Sequence, residues 1–491
     1  MNNHDTLAAV DLGSNSFRLE VVRVAGEQLY PLDSLKETVR LAGGLNEDKT
    51  LDEATQARAL DCLRRFGERL RGLPPDAVRC VGTSALRMAR HADNFMAEAE
   101  AALGHPIEIV AGREEARLIY LGVSHSLAAS SDKRLVVDIG GGSTEFVIGQ
   151  GLKPLACESL HMGCVNFSRR FFDTGALEKS AFKAAEIAAR GEVERIAREF
   201  AQGNWQHAIG SSGTARALRD ILEQNGWSSG GITADGLAQL RTQLIRAGHI
   251  DTLEFAGVTR DRRPVIAGGF AIMAGLFAEL GIEHMEVADT AMREGILYDL
   301  LGRFHQQDMR EVTVDEFMRR YHIDTEQAAR VGQLALTLLA ATGDHDAVDA
   351  QYLGWAARLH EIGRSVSHGG YHRHSGYILE NADMPGFSRS EQALLALLAR
   401  AQRGSLTKLP DGAAESLSDR DRLRVWILRQ AVLLCRSRDE PHFDGVRIEI
   451  NGTRIRLELP DGWLADHPLS CRALEEEAAH WGATGVKYTY S

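Results

Sequence analysis

The sequence predicts an α/β protein built from two related lobes, followed by an all-helical region and a small α+β unit at its C-terminal end. Three observations carry that expectation. Over the first 300 residues, short β-branched runs alternate with helix-period patterns. A strand–turn–strand pattern occurs twice, from Ala8 to Leu19 and again from Val136 to Val147, with Asp, Gly and Ser in register. Beyond about residue 305 the strand-like runs give way to helical ones until the last fifty residues.

Taken in order, the strands expected in the lobes are Leu7–Val10, Arg18–Val24, Val78–Gly82, Ile107–Val110, Leu135–Asp138 and Glu145–Gly149. Ala54–Leu70 reads as a helix, and Val193, Ile196, Ala197 and Phe200 form one apolar face of another. In the helical region Thr325–Ala341 has Asp324 placed as its cap with Gln327 three residues on. Ala347–Leu359 and Ser390–Ala401 follow with the same period. In the last segment Val446, Ile448 and Ile450 alternate with charged residues, Asn451-Gly452 predicts a type I′ turn, and Ile455, Leu457 and Leu459 alternate back. A helix over Leu469–His480 and a strand over Val486–Tyr490 complete the unit.

Composition narrows the classes of function. The chain has 491 residues, 44% hydrophobic and 25% charged, the proportions of a globular protein and not of a disordered or fibrous one. With 56 basic and 68 acidic residues the net charge is −12, which argues against a nucleic-acid partner because phosphate backbones are bound by Lys and Arg. The six cysteines (Cys62, Cys80, Cys157, Cys164, Cys435, Cys471) are scattered with no C-x-x-C pair, as expected for reduced thiols in a cytoplasmic protein. The N-terminal residues run straight into a strand pattern without the features of a signal peptide. The longest uncharged apolar stretch, Val265–Ala278, is 14 residues; a membrane-spanning helix needs ~20, so no transmembrane segment is expected.

Four segments carry chemistry. Asp138-Ile139-Gly140-Gly141-Gly142-Ser143-Thr144-Glu145 has three consecutive glycines, which let the backbone approach a ligand and aim N–H groups at phosphate oxygens. No Gly-Lys-Ser/Thr follows, so it is not a Walker loop, and it runs into a strand and not a helix, so it is not a dinucleotide fingerprint. It reads as a phosphate hairpin whose end carboxylates, Asp138 and Glu145, suit Mg²⁺. Asp11, Gly13, Ser14, Asn15 and Ser16 form the corresponding turn of the first repeat, the other jaw of a phosphate clamp. Glu114 and Glu115 stand where a strand gives way to a helix, at the rim of a sheet; either is placed for general-base work, and both also suit the positive end of a helix dipole. Gly210-Ser211-Ser212-Gly213-Thr214 is a fourth Gly-rich turn, with Gly213 a candidate for close approach to phosphate. Arg87, Arg90, Arg113, Arg117, Lys133 and Arg134 lie near these motifs in sequence and are expected to form a local positive funnel.

Together AAVDLGSNSF, VGTSALR, IVAGREEARLIYLGV, LVVDIGGGSTEFVIG, GSSGTARAL and DTAMREGILY resemble the exopolyphosphatase / guanosine pentaphosphate phosphohydrolase (Ppx/GppA) family, of the actin–hexokinase–Hsp70 (ribonuclease H-like) superfamily. The resemblance covers essentially the whole chain and is closest to the long bacterial exopolyphosphatases. It implies actin-like lobes at 1–122 and 123–305, an HD-like helical domain at 306–438 and an α+β domain at 439–491. It implies Glu115 as catalytic base, Asp138, Gly140, Ser143 and Glu145 around phosphate and metal, Asp11 and the Ser14-Asn15-Ser16 turn on phosphate, and Arg87 as a basic residue facing the cleft. Arg18 departs from the pattern of related chains. The implied activity is Mg²⁺-dependent removal of terminal phosphate from inorganic polyphosphate in the interlobe cleft, by a homodimer. The alternatives are 5′-phosphohydrolysis of guanosine 5′-triphosphate 3′-diphosphate (pppGpp) and non-catalytic binding of either ligand as a regulator. In the HD-like region His360-Glu361 stands where His-Asp is the pattern. His368, His372 and His374 lie nearby, but Ala399–Gly404 offers nothing to complete a ligand set, and no metal is expected there. Arg319, Arg320, Arg364, Arg373 and Lys408 of this region would help to hold a polymeric anion.

Overall fold

A computed structural model describes residues 4–25, 28–128, 130–304, 308–409, 417–438 and 445–491. It divides the chain into two compact units, Met1–Met309 and Arg310–Ser491. The expected boundaries after residues 305 and 438 fall at segments outside the described residues.

The first unit carries two sheets. Strands β1 (Thr6–Leu12), β2 (Phe17–Ala25), β3 (Gln28–Glu37), β4 (Val78–Gly82) and β5 (Ile107–Ile109) pair in the order β3-β2-β1-β4-β5. Strands β6 (Lys133–Ile139), β7 (Thr144–Gln150), β8 (Lys153–Leu160), β9 (His207–Ser211), β10 (Ile232–Thr233) and β11 (His284–Val287) pair in the order β10-β11-β9-β6-β7-β8. The repeat seen in the sequence is a repeat of topology. An antiparallel hairpin, β1–β2 or β6–β7, lies between an antiparallel edge strand and a parallel neighbour, β4 or β9. Its register is the same in both copies, with Asp11 opposite Arg18 and Asp138 opposite Glu145. The edge strands β3 and β8 are additions to the sequence reading. Each contains a proline (Pro31, Pro154) and is mostly exposed or half-exposed, so neither shows a clean apolar alternation.

Apolar side chains from both sheets meet in one core, where Leu7, Ala9 and Val81 of the first and Val136, Val147 and Ile209 of the second pack with two helices, Gly112–Ser126 and Met292–Phe304. The helices are exchanged relative to chain order. Gly112–Ser126 packs on β7 and β8 of the second sheet, and Met292–Phe304 packs on β1 of the first, so a cut at residue 122 does not separate two packing units. They cross through glycines: a Cβ at Gly122 would stand 2.1 Å from the Ala291 carbonyl oxygen, and one at Gly295 1.8 Å from that of Leu118. The apolar stretch at 265–278 lies in the helix Ile266–Leu280, whose residues fill the core behind the second sheet.

The second unit is mainly helical, with Thr325–Ala341 capped by Asp324 through the Gln327 amide and Arg389–Ala401 opened by a Ser388/Glu391 capping box. Its three-stranded sheet contains a hairpin (β12, Arg447–Asn451; β13, Arg454–Glu458) and β14 (Lys487–Tyr490) parallel to β13. Asn451 pairs with Arg454, so the turn falls on Gly452-Thr453, one residue later than expected. Only Gly452 of the two carries a positive φ, as in a type II′ turn and not type I′. The C-terminal segment has no core of its own. Ile455, Leu457, Leu474 and Trp481 share one cluster with Trp355, Trp426 and Leu428, so the separate α+β domain of the sequence reading is an extension of the helical unit.

Candidate active site

The two hairpin turns meet tip to tip. A Cβ at Gly141 would lie 3.1 Å from Ser14 Cβ and 3.3 Å from the Asn15 amide nitrogen, and one at Gly142 would lie 2.9 Å from Ser84 Oγ. None of Gly140, Gly141 and Gly142 has a positive φ; close approach is what requires them to be small. The turn is closed by Gly140 N–H donating to the Ser143 carbonyl at 2.9 Å, and the following loop packs so tightly that a Cβ at Gly163 would lie 2.3 Å from the Gly141 carbonyl oxygen.

Behind the tips lies a polar cavity. Asp11, Ser14, Asn15 and Ser16 line it from the first hairpin, Asp138, Gly140, Gly141 and Ser143 from the second, and Glu115 from the N-terminal turn of the helix Gly112–Ser126. Ser212 and Gly213 line it from the start of the helix Ser212–Gln224. Ser212 holds a φ of 92°, unusual for a residue with a side chain, and its Oγ accepts from the Thr214 amide at 3.1 Å.

The structure separates the two neighbouring glutamates. Glu114 turns into the protein, where both its oxygens accept from Arg117 at 2.8 Å, and Arg117 in turn meets Asp299. Asp299 also pairs with Arg79 at 2.6 Å. Burial would raise the Asp299 carboxyl, but Arg117, Arg79 and Arg303 hold it well below the usual carboxylate range. Glu115 instead faces the cavity. Arg87 stands behind it, donating to Glu115 Oε2 at 3.1 Å and to the Val110 carbonyl at 2.8 Å. Arg87 is therefore a partner of the glutamate and not a cleft-facing residue. Glu145, 2% exposed, accepts from Ser159 Oγ at 2.9 Å and is outside the cavity lining, yet burial and the nearby Glu115 and Asp138 push its carboxyl well above the usual range; Gly142 is likewise outside the lining.

Three carboxylates thus share one partly enclosed space. Burial raises the Glu115 carboxyl; Arg87 opposes the rise and Asp138 adds to it. Burial raises Asp138, against a hydrogen bond from Ser211 and the nearby Arg216 and Arg18. Burial pushes Asp11 up to about 7; Arg18 and Arg293 oppose the rise, and Glu115 and Asp138 add to it. Such a set, all oxygen and mutually repelling, is relieved by a hard divalent cation or by cationic side chains. Asp11 and Asp138 are the wall carboxylates that fit Mg²⁺, which ordinarily takes one or two carboxylates and completes its shell with water and phosphate.

The cations on the wall are Arg18, Arg216, Arg262 and Arg293. Arg18 and Arg262 make no ion pair among the described residues, whereas Arg293 is tied to Glu20 at 2.9 Å and Arg216 donates to the Asp289 carbonyl at 2.7 Å. Arg262 lies over Gly213, where a Cβ would come within 1.6 Å of its guanidinium. None of the six residues expected to form a positive funnel lines the cavity. Arg113 pairs with Glu158, Arg117 is locked to Glu114, Arg134 is buried against the Ala128 carbonyl, Lys133 and Arg90 are exposed, and Arg87 holds Glu115. Arg216 and Arg293 stand inside recognised motifs, GSSGTARAL and DTAMREGILY, and position there was the signal that could have found them. Arg262, in an Asp-Arg-Arg-Pro loop, offered none.

Comparison with known proteins follows the same division of the chain. The profile of the Ppx/GppA phosphatase family matches residues 20–304, and that of Ppx/GppA phosphatase, domain III, matches residues 309–478. A protein of Aeromonas hydrophila named guanosine-5′-triphosphate,3′-diphosphate pyrophosphatase is 39% identical over 482 residues, 97% of each chain. One of the same name from Photobacterium profundum is 38% identical over 96% of this chain and 95% of its own. Among solved structures, the Aquifex aeolicus PPX-GPPA enzyme is 25% identical with a TM-score of 0.51, covering 60% of this chain and 98% of that one. The two-lobed unit is thus of the actin-like ATPase fold, followed here by a helical C-terminal region.

Proposed function

The chain belongs to the Ppx/GppA phosphatase family, and from that premise we propose that it hydrolyses the terminal 5′-phosphoanhydride bond of pppGpp, releasing orthophosphate. The observation that carries the substrate is the name borne by two relatives that match this chain almost end to end. It displaces the sequence expectation of inorganic polyphosphate to second place.

The cavity supports the chemistry. Phosphoryl transfer to water needs positioning and charge stabilisation more than covalent help. Backbone N–H groups of the two turns, with Arg18 and Arg262, which make no ion pair among the described residues, would grip phosphate oxygens. Glu115 would orient the attacking water and accept its proton, with Arg87 fixing the carboxylate and favouring its ionised form. Asp11 and Asp138 would hold Mg²⁺, which when bound offsets the negative charge of the transferring phosphoryl group.

Inorganic polyphosphate is the second reading because the cavity wall, among the described residues, offers guanidinium and backbone groups but no aromatic ring to select a base. Phosphate release from pppGpp and from polyphosphate, measured side by side on the full chain with Mg²⁺, tests the order. A higher kcat/KM on pppGpp is expected; the reverse would overturn it.

A further inference from the structure

The second unit contains a cavity that this chemistry does not use. It measures about 610 Å³, inside the ~300–1,000 Å³ range of small-molecule sites. The segment 360–368, the helices Tyr371–Asn381, Asp419–Leu434 and Pro468–Gly482, and the turns after Arg389–Ala401 and Asp419–Leu434 supply most of its lining.

Its polar groups make two different demands. Gln402, 2% exposed, donates through Nε2 to the carbonyls of His360 at 2.6 Å and Ala399 at 3.0 Å, which fixes the amide's orientation because both partners only accept. Its Oε1 is then a buried acceptor with no donor among the described residues, a state that native proteins rarely leave unfilled. The buried Nδ1 of His372 is unpartnered too. Burial and the nearby Arg403, Arg373 and Arg429 hold that imidazole down at about 4, so at neutral pH it is uncharged and its ring offers a donor and an acceptor. The second demand is for negative charge. Arg364 and Arg438 are tied to Glu361 and Arg429 to Glu477, but Arg403 and Arg436 line the cavity with no carboxylate partner among the described residues.

A ligand that satisfies both must carry anionic oxygens and N–H or O–H donors. An inorganic phosphate chain, ionised along its length, supplies almost only acceptors and leaves Gln402 Oε1 unmet. We propose that this cavity is a nucleotide site, with phosphate on Arg403 and Arg436 and a base or ribose group donating to Gln402 Oε1. The site does not depend on which phosphoanhydride the first unit hydrolyses.

The test uses the full chain, with hydrogen–deuterium exchange in the presence of GDP, ADP or inorganic tripolyphosphate. Either nucleotide is expected to slow exchange in peptides covering 371–381 and 402–409, and tripolyphosphate to leave them unchanged. In the double variant Arg403→Ala/Arg436→Ala, two exposed side chains removed from the folded core, the nucleotide concentration needed for that protection should rise at least tenfold. Phosphate release by the first unit, without added GDP or ADP, should stay as in the parent. Absence of protection by both nucleotides at millimolar concentration would overturn the proposal. So would equal protection by tripolyphosphate, which marks a plain anion site, or an unchanged concentration dependence in the double variant.

Discussion

At the scale of the residue, Glu115 stands between opposing influences: burial and Asp138 favour its neutral form, and Arg87 favours its charged one. Glu115→Gln keeps shape and hydrogen bonding but removes basicity, so kcat should fall by ~10² or more while substrate binding, followed by equilibrium dialysis, is retained. Near-parental turnover would remove Glu115 from the role of base. Arg87→Gln takes away the group that lowers the glutamate's pKa. The carboxyl then rises further, a smaller fraction is ionised at any given pH, and the acid limb of the kcat profile should move to higher pH. A profile that only drops in height, unmoved along the pH axis, would mean that Arg87 acts in some other way. The sequence could not divide Glu114 from Glu115, because consecutive residues in the first turn of a helix share its dipole and its rim position. What divides them is long-range: Arg117 is drawn to Asp299, 182 positions along the chain, and takes Glu114 with it. For the same reason the six basic residues chosen for the funnel miss the cavity, whereas Arg262, distant in sequence from every phosphate loop, reaches it.

At the scale of the element, the paired hairpins were legible because the Asp, Gly and Ser of each turn repeat in register and the strands around them are β-branched. The glycines have a packing job beside the expected one. They let one turn lie against the other, so Gly141→Val, with two methyls directed at Ser14 and Asn15, should force the jaws apart. Hydrolysis of pppGpp and of polyphosphate should fall together, by at least tenfold in kcat/KM. Loss of one with survival of the other would show that the hairpins are not a shared cradle. The edge strands escaped the sequence because strands with one exposed face and a proline lack the pattern that announces an inner strand. The register also holds an asymmetry that composition hid: the position opposite the hairpin aspartate is Arg18 in one copy and Glu145 in the other. The departure noted at Arg18 is thus the point where the two copies differ in charge, and it puts a cation on the cavity wall.

At the scale of the molecule, each unit has its own hydrophobic clusters, and the Aquifex enzyme matches 60% of this chain with 98% of its own, so a two-lobed body of this kind stands as a complete fold. Residues 1–309 alone are expected to unfold cooperatively on heating and to keep phosphate release from pppGpp within about tenfold of the full chain, since the cavity lies wholly inside them. A soluble, cooperatively folding fragment without activity would assign the second unit a direct part in hydrolysis. The sequence foresaw a helical region and an α+β tail as separate domains because the change in periodicity near residue 446 is sharp. Periodicity reports local structure, however, and domain unity is a matter of which side chains share a core. Trp426 and Trp481 lie 55 positions apart and in the same cluster, a relation no local pattern carries.

The crossing of Gly122 and Gly295 has a mechanical meaning. Where helices normally meet, side chains mesh like gear teeth and hold a fixed angle. Here two backbones touch with nothing between them, at a place where the helix of one sheet passes the helix of the other. Such a contact resists compression, and the Arg117–Asp299 ion pair and the stacked rings of His125 and Tyr298 bridge the same two helices, so the crossing is a pinned joint between the sheets. Held in that way, the two sheets keep one angle, and the hairpin tips that they carry keep one spacing. A side chain at either glycine would wedge the joint open and be felt at the tips as a change in that spacing.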